Sequence, residues 1–304
     1  MRIALLADIH GNLPALEAVL TELERLQPDR VLVNGDLINA VPYSAQVVER
    51  IRRLDWAVVR GNHEFYLLDF GTGRAEKSTA DPARWGQLHW LVEQMTPAQT
   101  TYLAMLPDEC TLYIPGTQPV RVAHGVPGNN RLGFTRRNSD EQIAQAIDHV
   151  AERTLVSAHT HVQLDRLIAR PGENASWHVI NPGSVGLPLN RDPRAQFALL
   201  ENVPEAVFPG GWQVTHYRVA YDRRPALESY STTGMWLAGG IFTQLFYWEL
   251  VTAEAEIILF WLWARQNGYN PDQALAATFA AYNAATGRDQ YVRERDPLHH
   301  RELP

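Results

Sequence analysis

Five apolar runs in this 304-residue chain are each followed at once by Asp, His, Asn or Gly, and this pattern constrains the fold most. The runs end just before Asp8, Gly35, Gly61, His124 and His159. A short apolar run bounded by turn residues predicts a buried strand. Functional groups in open α/β sheets collect beyond the carboxyl ends of the strands, so we expect these polar residues to meet there. The pattern therefore predicts an α/β fold and the position of a site.

Helical periodicity lies between the first three runs. Residues 13–26 carry apolar side chains at helical spacing, with Pro14 in the first turn, and residues 43–54 repeat the spacing. Further strand-like segments follow between residues 111 and 219. Alternation of strands and helices is typical of layered α/β proteins. We expect a four-layer αββα sandwich in which two mixed β-sheets are flanked by helices.

The composition and periodicity of the sequence change at two places along the chain. Residues 1–222 are predicted to form one domain, with a helical and loop insertion at about 65–110. Residues 235–264 are helical in composition and rich in aromatic side chains, a further helix is expected at 272–285, and the charged tail from Arg288 is expected to be frayed. We therefore expect 223–304 to form a helical C-terminal extension, packed on the core or at the subunit interface of a homo-oligomer.

The composition of the chain limits the partners and surroundings that can be expected for this protein. A net charge of −7 argues against a broad basic surface, so no nucleic acid partner is expected. Cys110 is the only cysteine, which excludes an intrachain disulfide and fits a reducing, cytoplasmic location. Three glutamates interrupt the most apolar late stretch, so no membrane span is expected.

The residues that follow the apolar runs are types that ligate metals. Asp8 and His10 are two positions apart and would face the same side of an extended segment, and Asp36 could lie between two ions. The candidate ligands are Asp8, His10, Asp36, Asn62, His124, His159 and His161. Mixed nitrogen and oxygen ligands without a thiolate favour Mn, Fe, Zn, Ni or Co. Each motif alone is also compatible with turn chemistry or a buried core histidine, and only the ordered set favours two metal ions.

The ordered motifs resemble the calcineurin-like metallophosphoesterase superfamily, whose pattern is D-x-H, G-D, G-N-H-[DE], H and G-H-x-H. The resemblance covers about residues 1–222 and is greatest to small prokaryotic phosphodiesterases, through 8–13 (DIHGNL) and 181–186 (NPGSVG). Ala158 replaces the usual Gly before the last histidine pair. The segment 35–39 (GDLIN) lacks the Asp-Arg-Gly of Ser/Thr protein phosphatases and symmetrical dinucleoside-tetraphosphate hydrolases, which weakens both of those substrate assignments.

The resemblance implies a catalytic domain with a dinuclear centre of two divalent transition metals. One metal would be held by Asp8, His10, Asp36 and His161, and the other by Asp36, Asn62, His124 and His159. Asp36 would bridge the metals and His63 would lie over the substrate phosphate, and both would be catalytic residues. The implied activity is hydrolysis of a small phosphate ester, a diester in the first place, by attack of a metal-bridging hydroxide.

Several alternatives stay open at the level of sequence. The protein could be a phosphomonoesterase or nucleotide hydrolase, or an inactive protein-interaction scaffold with the same fold, although a scaffold would be expected to lose ligands. Phosphate contacts are expected from Asn12, Arg131, Arg136, Arg137 and Arg191. The arginines are equally compatible with solvated surface positions.

Overall fold

Two five-stranded mixed sheets form the centre of the computed structural model, which describes residues 1–299. The strands are β1 (Arg2–Leu6), β2 (Arg30–Asn34), β3 (Ala57–Val59), β4 (Glu109–Leu112), β5 (Val120–Ala123), β6 (Thr154–Val156), β7 (Leu164–Ala169), β8 (Ser176–Asn181), β9 (Ala195–Asn202) and β10 (Trp212–Val219). One sheet has the order β10-β9-β1-β2-β3, with β1, β2 and β3 parallel. The other has the order β4-β5-β6-β8-β7, with β5, β6 and β8 parallel.

Helices cover the outer faces of the sheets and form the C-terminal part. They are α1 (Leu13–Leu26), α2 (Ser44–Ile51), α3 (Asn62–Asp69), α4 (Pro82–Gln94), α5 (Pro97–Met105), α6 (Asp140–Ala146), α7 (Arg224–Thr232), α8 (Met235–Ala238), α9 (Ile241–Thr252), α10 (Glu256–Gln266), α11 (Pro271–Thr286) and α12 (Arg288–Arg293). A 3-10 helix at Lys77–Ala80 lies within the insertion. No helix among residues 1–299 is long and apolar enough to cross a membrane.

The layers follow from the alternation of side chains along the central strands. In β1, Ile3 and Leu5 pack against the second sheet, in a cluster that includes Val122 and Val156. The neighbouring Ala4 belongs to the cluster that contains the buried face of α1. A third cluster packs α6 against the second sheet. Both faces of β1 are thus buried, as its continuous apolar sequence predicts, and the four-layer αββα sandwich with a C-terminal helical extension is confirmed.

The C-terminal helices share the core of the α1 side. Trp85 and Leu88 of α4 belong to the same buried cluster as Tyr230, Phe242 and Phe246 of the C-terminal helices. The hydroxyl of Tyr230 donates a hydrogen bond to the Ala40 carbonyl at 2.8 Å. The extension therefore packs on the first domain, while the division between residues 222 and 223 stays a prediction.

The expected helices of the C-terminal part are present, and one local prediction for it is wrong. The helical composition at 235–264 takes the form of three helices, because Gly239 and Gly240 and then Ala253 take positive φ angles. The tail from Arg288, predicted to be frayed, forms α12 at Arg288–Arg293. Its first residue is held by ion pairs to Glu254 and Glu256. The end of the tail, His300 to Pro304, lies outside the described residues.

Candidate metal centre

Every predicted metal ligand follows the carboxyl end of a strand or opens the helix after it. Asp8 follows β1, Asp36 follows β2, and Asn62 begins α3 just after β3. His124 follows β5 directly, and His159 and His161 come after β6. These strands are parallel within each sheet, so their carboxyl ends lie at one edge and the side chains converge there.

The first group of ligating atoms comes from Asp8, His10, Asp36 and His161, all of which are buried. The Nε2 atoms of His10 and His161 are 3.1 Å apart. His10 Nε2 is 3.7 Å from Asp36 Oδ2, and His161 Nε2 is 3.5 Å from Asp8 Oδ1. All of these atoms lie within 4.8 Å of one another, which is a spacing that a single cation could bridge.

The second group contains Asp36, His124 and His159, so Asp36 belongs to both groups. His124 Nε2 is 3.2 Å from Asp36 Oδ2. The Asn62 amide oxygen adds a further oxygen here, at 3.1 Å from His124 Nε2 and 2.9 Å from His159 Nδ1. The structure thus brings all seven predicted ligands into two adjoining groups.

The buried polar atoms of the site suit a cation. Both carboxylate oxygens of Asp8 are buried without a hydrogen-bond partner, whereas Oδ2 of Asp36 faces His124 Nε2 at 3.2 Å. An unpaired buried carboxylate is unfavourable unless a cation or proton compensates it, and burial accordingly raises the pKa of Asp8 well above its usual value. Burial opposes ionisation of Asp36 too, but His124 and His63 outweigh it and hold its pKa well below the usual value. The chemistry of the donor set therefore fits a divalent metal ion.

Most of the imidazoles are available as neutral ligands. Burial lowers the pKa of His161 to about 3 and that of His159 to about 4, and it holds the pKa of His10 well below its usual value. His124 differs, because Asp36 and Asp8 outweigh the effect of burial and raise its pKa to about 10. Backbone carbonyls fix two of the rings: His124 Nδ1 lies 2.8 Å from the Asn34 carbonyl and His161 Nδ1 lies 2.6 Å from that of Leu187. Such contacts leave Nε2 as the ligating atom.

Five of the ligands have left-handed backbone conformations. Asp8, His10, Asp36, His159 and His161 have φ angles between 52° and 67°. Non-glycine residues rarely adopt this region, although Asp, Asn and His do so more readily than others. Strained backbone at several adjoining residues is characteristic of functional sites.

Glu64, to which the sequence analysis assigned no role, stabilises the backbone around Asp36. It is fully buried, and its carboxylate accepts hydrogen bonds from the backbone N–H groups of Asp36 (2.9 Å), Leu37 (2.8 Å) and Gly61 (2.7 Å). Gly61 lies so close to Asp36 that a Cβ there would be 2.1 Å from Oδ1. The available signal for Glu64 was its place as the acidic residue of the G-N-H-[DE] motif, three residues after the N-cap Gly61, where a Glu side chain can accept from the N-cap N–H.

His63 lies at the open side of the two groups. Its Nε2 is 4.0 Å from Asp36 Oδ2, and its backbone N–H donates a hydrogen bond to Asp36 Oδ1 at 2.8 Å. Its ring packs edge to face with His10 and with Tyr66, at centroid distances of 4.7 Å and 5.3 Å. Its side chain is 12% exposed, so a small part of the ring can meet an incoming molecule.

The predicted phosphate contacts have diverse surroundings. Asn12 is fully buried and caps α1, and its amide also donates hydrogen bonds to the Gly186 carbonyl and the Tyr221 hydroxyl at 2.8 Å each. These contacts give Asn12 a structural role. Arg131 lies beside the site, with its guanidinium 4.9 Å from the centroid of the Tyr66 ring, and it pairs with Glu76.

The other three arginines lie further out. Arg136 and Arg137 are exposed, and Arg136 lines a separate cleft of about 510 Å³ with Arg166 and Arg218. Arg191 is exposed and pairs with Glu254 of the C-terminal part at 3.5 Å. Within residues 1–299, none of these three guanidinium groups contacts the seven predicted ligands.

Comparison with known proteins agrees with this geometry. A family model described as the calcineurin-like phosphoesterase superfamily domain matches residues 1–203. The chain belongs to this superfamily. The resemblance inferred from the motifs is thereby confirmed, and family membership and the clustered His and Asp residues together suggest a metal-binding phosphoester hydrolase.

Individual relatives cover most of the chain. A metallophosphoesterase from Sphaerobacter thermophilus is 28% identical, with a TM-score of 0.59 over 77% of this chain and 95% of that one. A hypothetical protein from Pyrococcus horikoshii is 23% identical, with a TM-score of 0.63 over 77% of this chain and 94% of that one, which shows the same fold. An uncharacterised protein of Methanocaldococcus jannaschii is 23% identical over 74% of this chain and 90% of its own length.

Proposed function

We propose that this protein is a phosphodiesterase with a dinuclear metal centre, acting on a small phosphate ester. The observation that carries the proposal is that Asp36 belongs to both groups of ligating atoms. Asp8, His10, Asp36 and His161 would hold one ion, and Asp36, Asn62, His124 and His159 the other. Nitrogen and oxygen donors without a thiolate favour Mn, Fe, Zn, Ni or Co at both positions.

Two divalent ions, when bound, supply an activated water and neutralise charge on the phosphoryl oxygens. The protein side chains hold the two ions in place and assist departure of the leaving group. The His63 side chain is partly exposed and its Nε2 lies 4.0 Å from Asp36 Oδ2, so it can meet the ester oxygen beside the centre. We propose that it stabilises charge there or donates a proton to the departing alkoxide. Arg131 beside Tyr66 would contribute positive charge for the phosphate.

The residues of the metal centre give less support to the alternative that the protein is an inactive protein-interaction scaffold. A protein that had lost catalysis would be free to lose individual ligands, yet all seven ligand positions and His63 keep their residue types. Maintaining buried unpaired carboxylates and left-handed backbone has a cost in stability that a scaffold would not need to keep.

The test combines metal content with hydrolysis. Protein purified without chelator should contain about two metals per chain and should cleave bis(4-nitrophenyl) phosphate faster than 4-nitrophenyl phosphate. Asp36→Asn should lower occupancy of both ions, because it removes the shared carboxylate. Asp165→Asn is a matched control, since Asp165 contacts His178 at 2.8 Å away from the site and should keep both metals.

Each adverse outcome has a distinct meaning. Metal content near zero after reconstitution would overturn the metal centre. Two bound metals without hydrolysis of either ester would favour the scaffold, and faster cleavage of the monoester would make the protein a phosphomonoesterase.

A further inference from the structure

The C-terminal helix α9 reaches the site, although it lies outside the part of the chain that matches the family model. The match ends at residue 203, and α9 begins at Ile241. Phe246 of α9 is buried, and its ring packs against the His63 ring at a centroid distance of 6.0 Å and an angle of 64°. A residue from the extension thus contacts the side chain that we assign to leaving-group departure.

Phe246 belongs to a closed circuit of five rings that contains His63. His63 contacts Tyr66 at 5.3 Å, Tyr66 contacts Trp85 at 4.9 Å, and Trp85 contacts Phe242 at 4.7 Å. Phe242 then contacts Phe246 at 6.4 Å, which closes the circuit. The edge-to-face and tilted arrangements in it are the favourable geometries for aromatic pairs.

The circuit is anchored by a close backbone contact between α4 and the segment before α9. A Cβ on Gly86 would lie 2.0 Å from the Gly239 carbonyl oxygen, so only glycine permits this approach. The contact fixes α9 relative to α4, and hence fixes Phe246 relative to His63. The position of the Phe246 ring is therefore determined by packing over several elements, and the ring does not simply fill space near the site.

The effect on His63 follows from the contacts around its ring. The rings of His10 and Tyr66 pack edge to face against the His63 ring, and the Phe246 ring packs against it as well. Nδ1 of His63 is buried without a hydrogen-bond partner, so no polar contact at that atom orients the ring. Aromatic packing therefore acts together with the approach of Nε2 to Asp36 Oδ2, at 4.0 Å, to hold the orientation of the ring.

We propose that Phe246 is a positioning residue for His63, so that the C-terminal extension completes the active site that the family domain begins. The proposal rests on the proposed function, because His63 must assist leaving-group departure for its orientation to matter. Loss of the Phe246 ring should then lower kcat for esters with poor leaving groups while KM and metal content stay unchanged. A small displacement of a catalytic group lowers the reaction rate by on the order of 10- to 100-fold.

The experiment compares Phe246→Leu with Phe279→Leu in the full-length, zinc-reconstituted protein. Phe279 has a similar exposure, 7% against 5%, but contacts Trp248, Phe260 and Tyr282 of the extension. The substrates are a phenyl and a 4-nitrophenyl phosphodiester. Only Phe246→Leu should reduce kcat for the phenyl ester, by about 10-fold or more, with a smaller effect on the nitrophenyl ester. Phe246→Met, which is unbranched and fills similar space, takes its place if the leucine variant does not fold.

Two further measurements separate positioning from general damage. In a His63→Ala background, Phe246→Leu should cause no additional loss, because the residue it orients is gone. Equal losses in the presence and absence of His63, or equal losses for Phe246→Leu and Phe279→Leu, would overturn the proposal.

The second measurement does not depend on activity. The imidazole NMR signal that disappears in His63→Ala identifies His63, and its nuclear Overhauser contacts with the Tyr66 ring should weaken in Phe246→Leu and stay unchanged in Phe279→Leu. Contacts that stay unchanged in Phe246→Leu overturn the positioning role; a shift of the signal alone does not count, because loss of the Phe246 ring current shifts it in any case. Absence of any phosphoester hydrolysis by the wild-type protein would instead overturn the proposed function, and the contacts of the His63 ring would still decide whether Phe246 orients it.

Discussion

Glu249 in α9 should make the stability of this protein depend strongly on pH. The side chain is only 3% exposed, and its Oε1 accepts a hydrogen bond from the Ile257 N–H at 3.2 Å. Burial, with a smaller contribution from Glu256, raises its pKa to about 8 from an ordinary value of 4.5. Between pH 4.5 and about 8, the Glu249 carboxyl is therefore protonated in the folded protein and ionised in the unfolded chain.

The sign and size of the effect follow from that difference. Because the folded state binds the proton more tightly, this group's contribution to the free energy of unfolding is greatest below pH 4.5 and is lost as the pH rises toward 8. Within that window each pH unit changes the free energy of unfolding by about 1.4 kcal/mol. Between pH 5 and pH 8 the loss should be about 3 to 4 kcal/mol, a large part of the roughly 5–15 kcal/mol that a folded protein typically has.

Glu249→Gln tests this expectation, since glutamine resembles the protonated carboxyl and can still accept from Ile257. Urea unfolding at several pH values should show the variant close to wild type near pH 5 and more stable by several kcal/mol at pH 8. Glu228→Gln, at an exposed position of α7, is the matched control and should show no such divergence. If the difference between Glu249→Gln and wild type does not change with pH, the buried carboxyl is not protonated in the folded protein.

Three more predictions concern the site and its supports. His63→Ala should keep its metals but lose about 10²- to 10⁴-fold in hydrolysis of poor leaving groups, whereas equal losses for nitrophenyl esters would indicate charge stabilisation. Gly61→Ala should lower metal occupancy, because its Cβ would lie 2.1 Å from Asp36 Oδ1; full occupancy by elemental analysis would contradict this. A chain ending at Asp222 should keep its metals while losing solubility or changing its assembly in solution, and a folded but metal-free product would mean that the domain boundary is wrong.

The sequence was informative where one local pattern specified both the strand and the residue after it. Asp8, Asp36 and His124 could be assigned to strand ends because a buried apolar run stops within two residues before each of them. The boundaries of α1 were predicted for the same kind of reason, since periodicity, Pro14 and the residues at both ends all agree. Agreement of several local signals makes such segments predictable.

The contacts of the C-terminal part depend on distant residues and left no local signal. Phe246 is one of many aromatic side chains in its stretch, and only the packing of α9 on α4 brings it to His63. Arg288 begins a charged tail in sequence, yet its guanidinium pairs with Glu254 and Glu256 more than thirty residues away. Periodicity can indicate that a helix forms, but it does not indicate which helix it will meet.

The left-handed backbone at the ligands has a consequence for how this protein can evolve. A left-handed conformation costs roughly 1–2 kcal/mol for an ordinary residue and somewhat less for Asp and His, and five ligands adopt it here. Glycine removes that cost, so Asp8→Gly should raise the thermal unfolding temperature of the metal-free protein, and a lower temperature would refute this. Selection for heat resistance and selection for catalysis would then act in opposite directions at these positions. In a lineage released from the need for activity, we expect these ligands to be replaced early, while the surrounding sandwich becomes more stable.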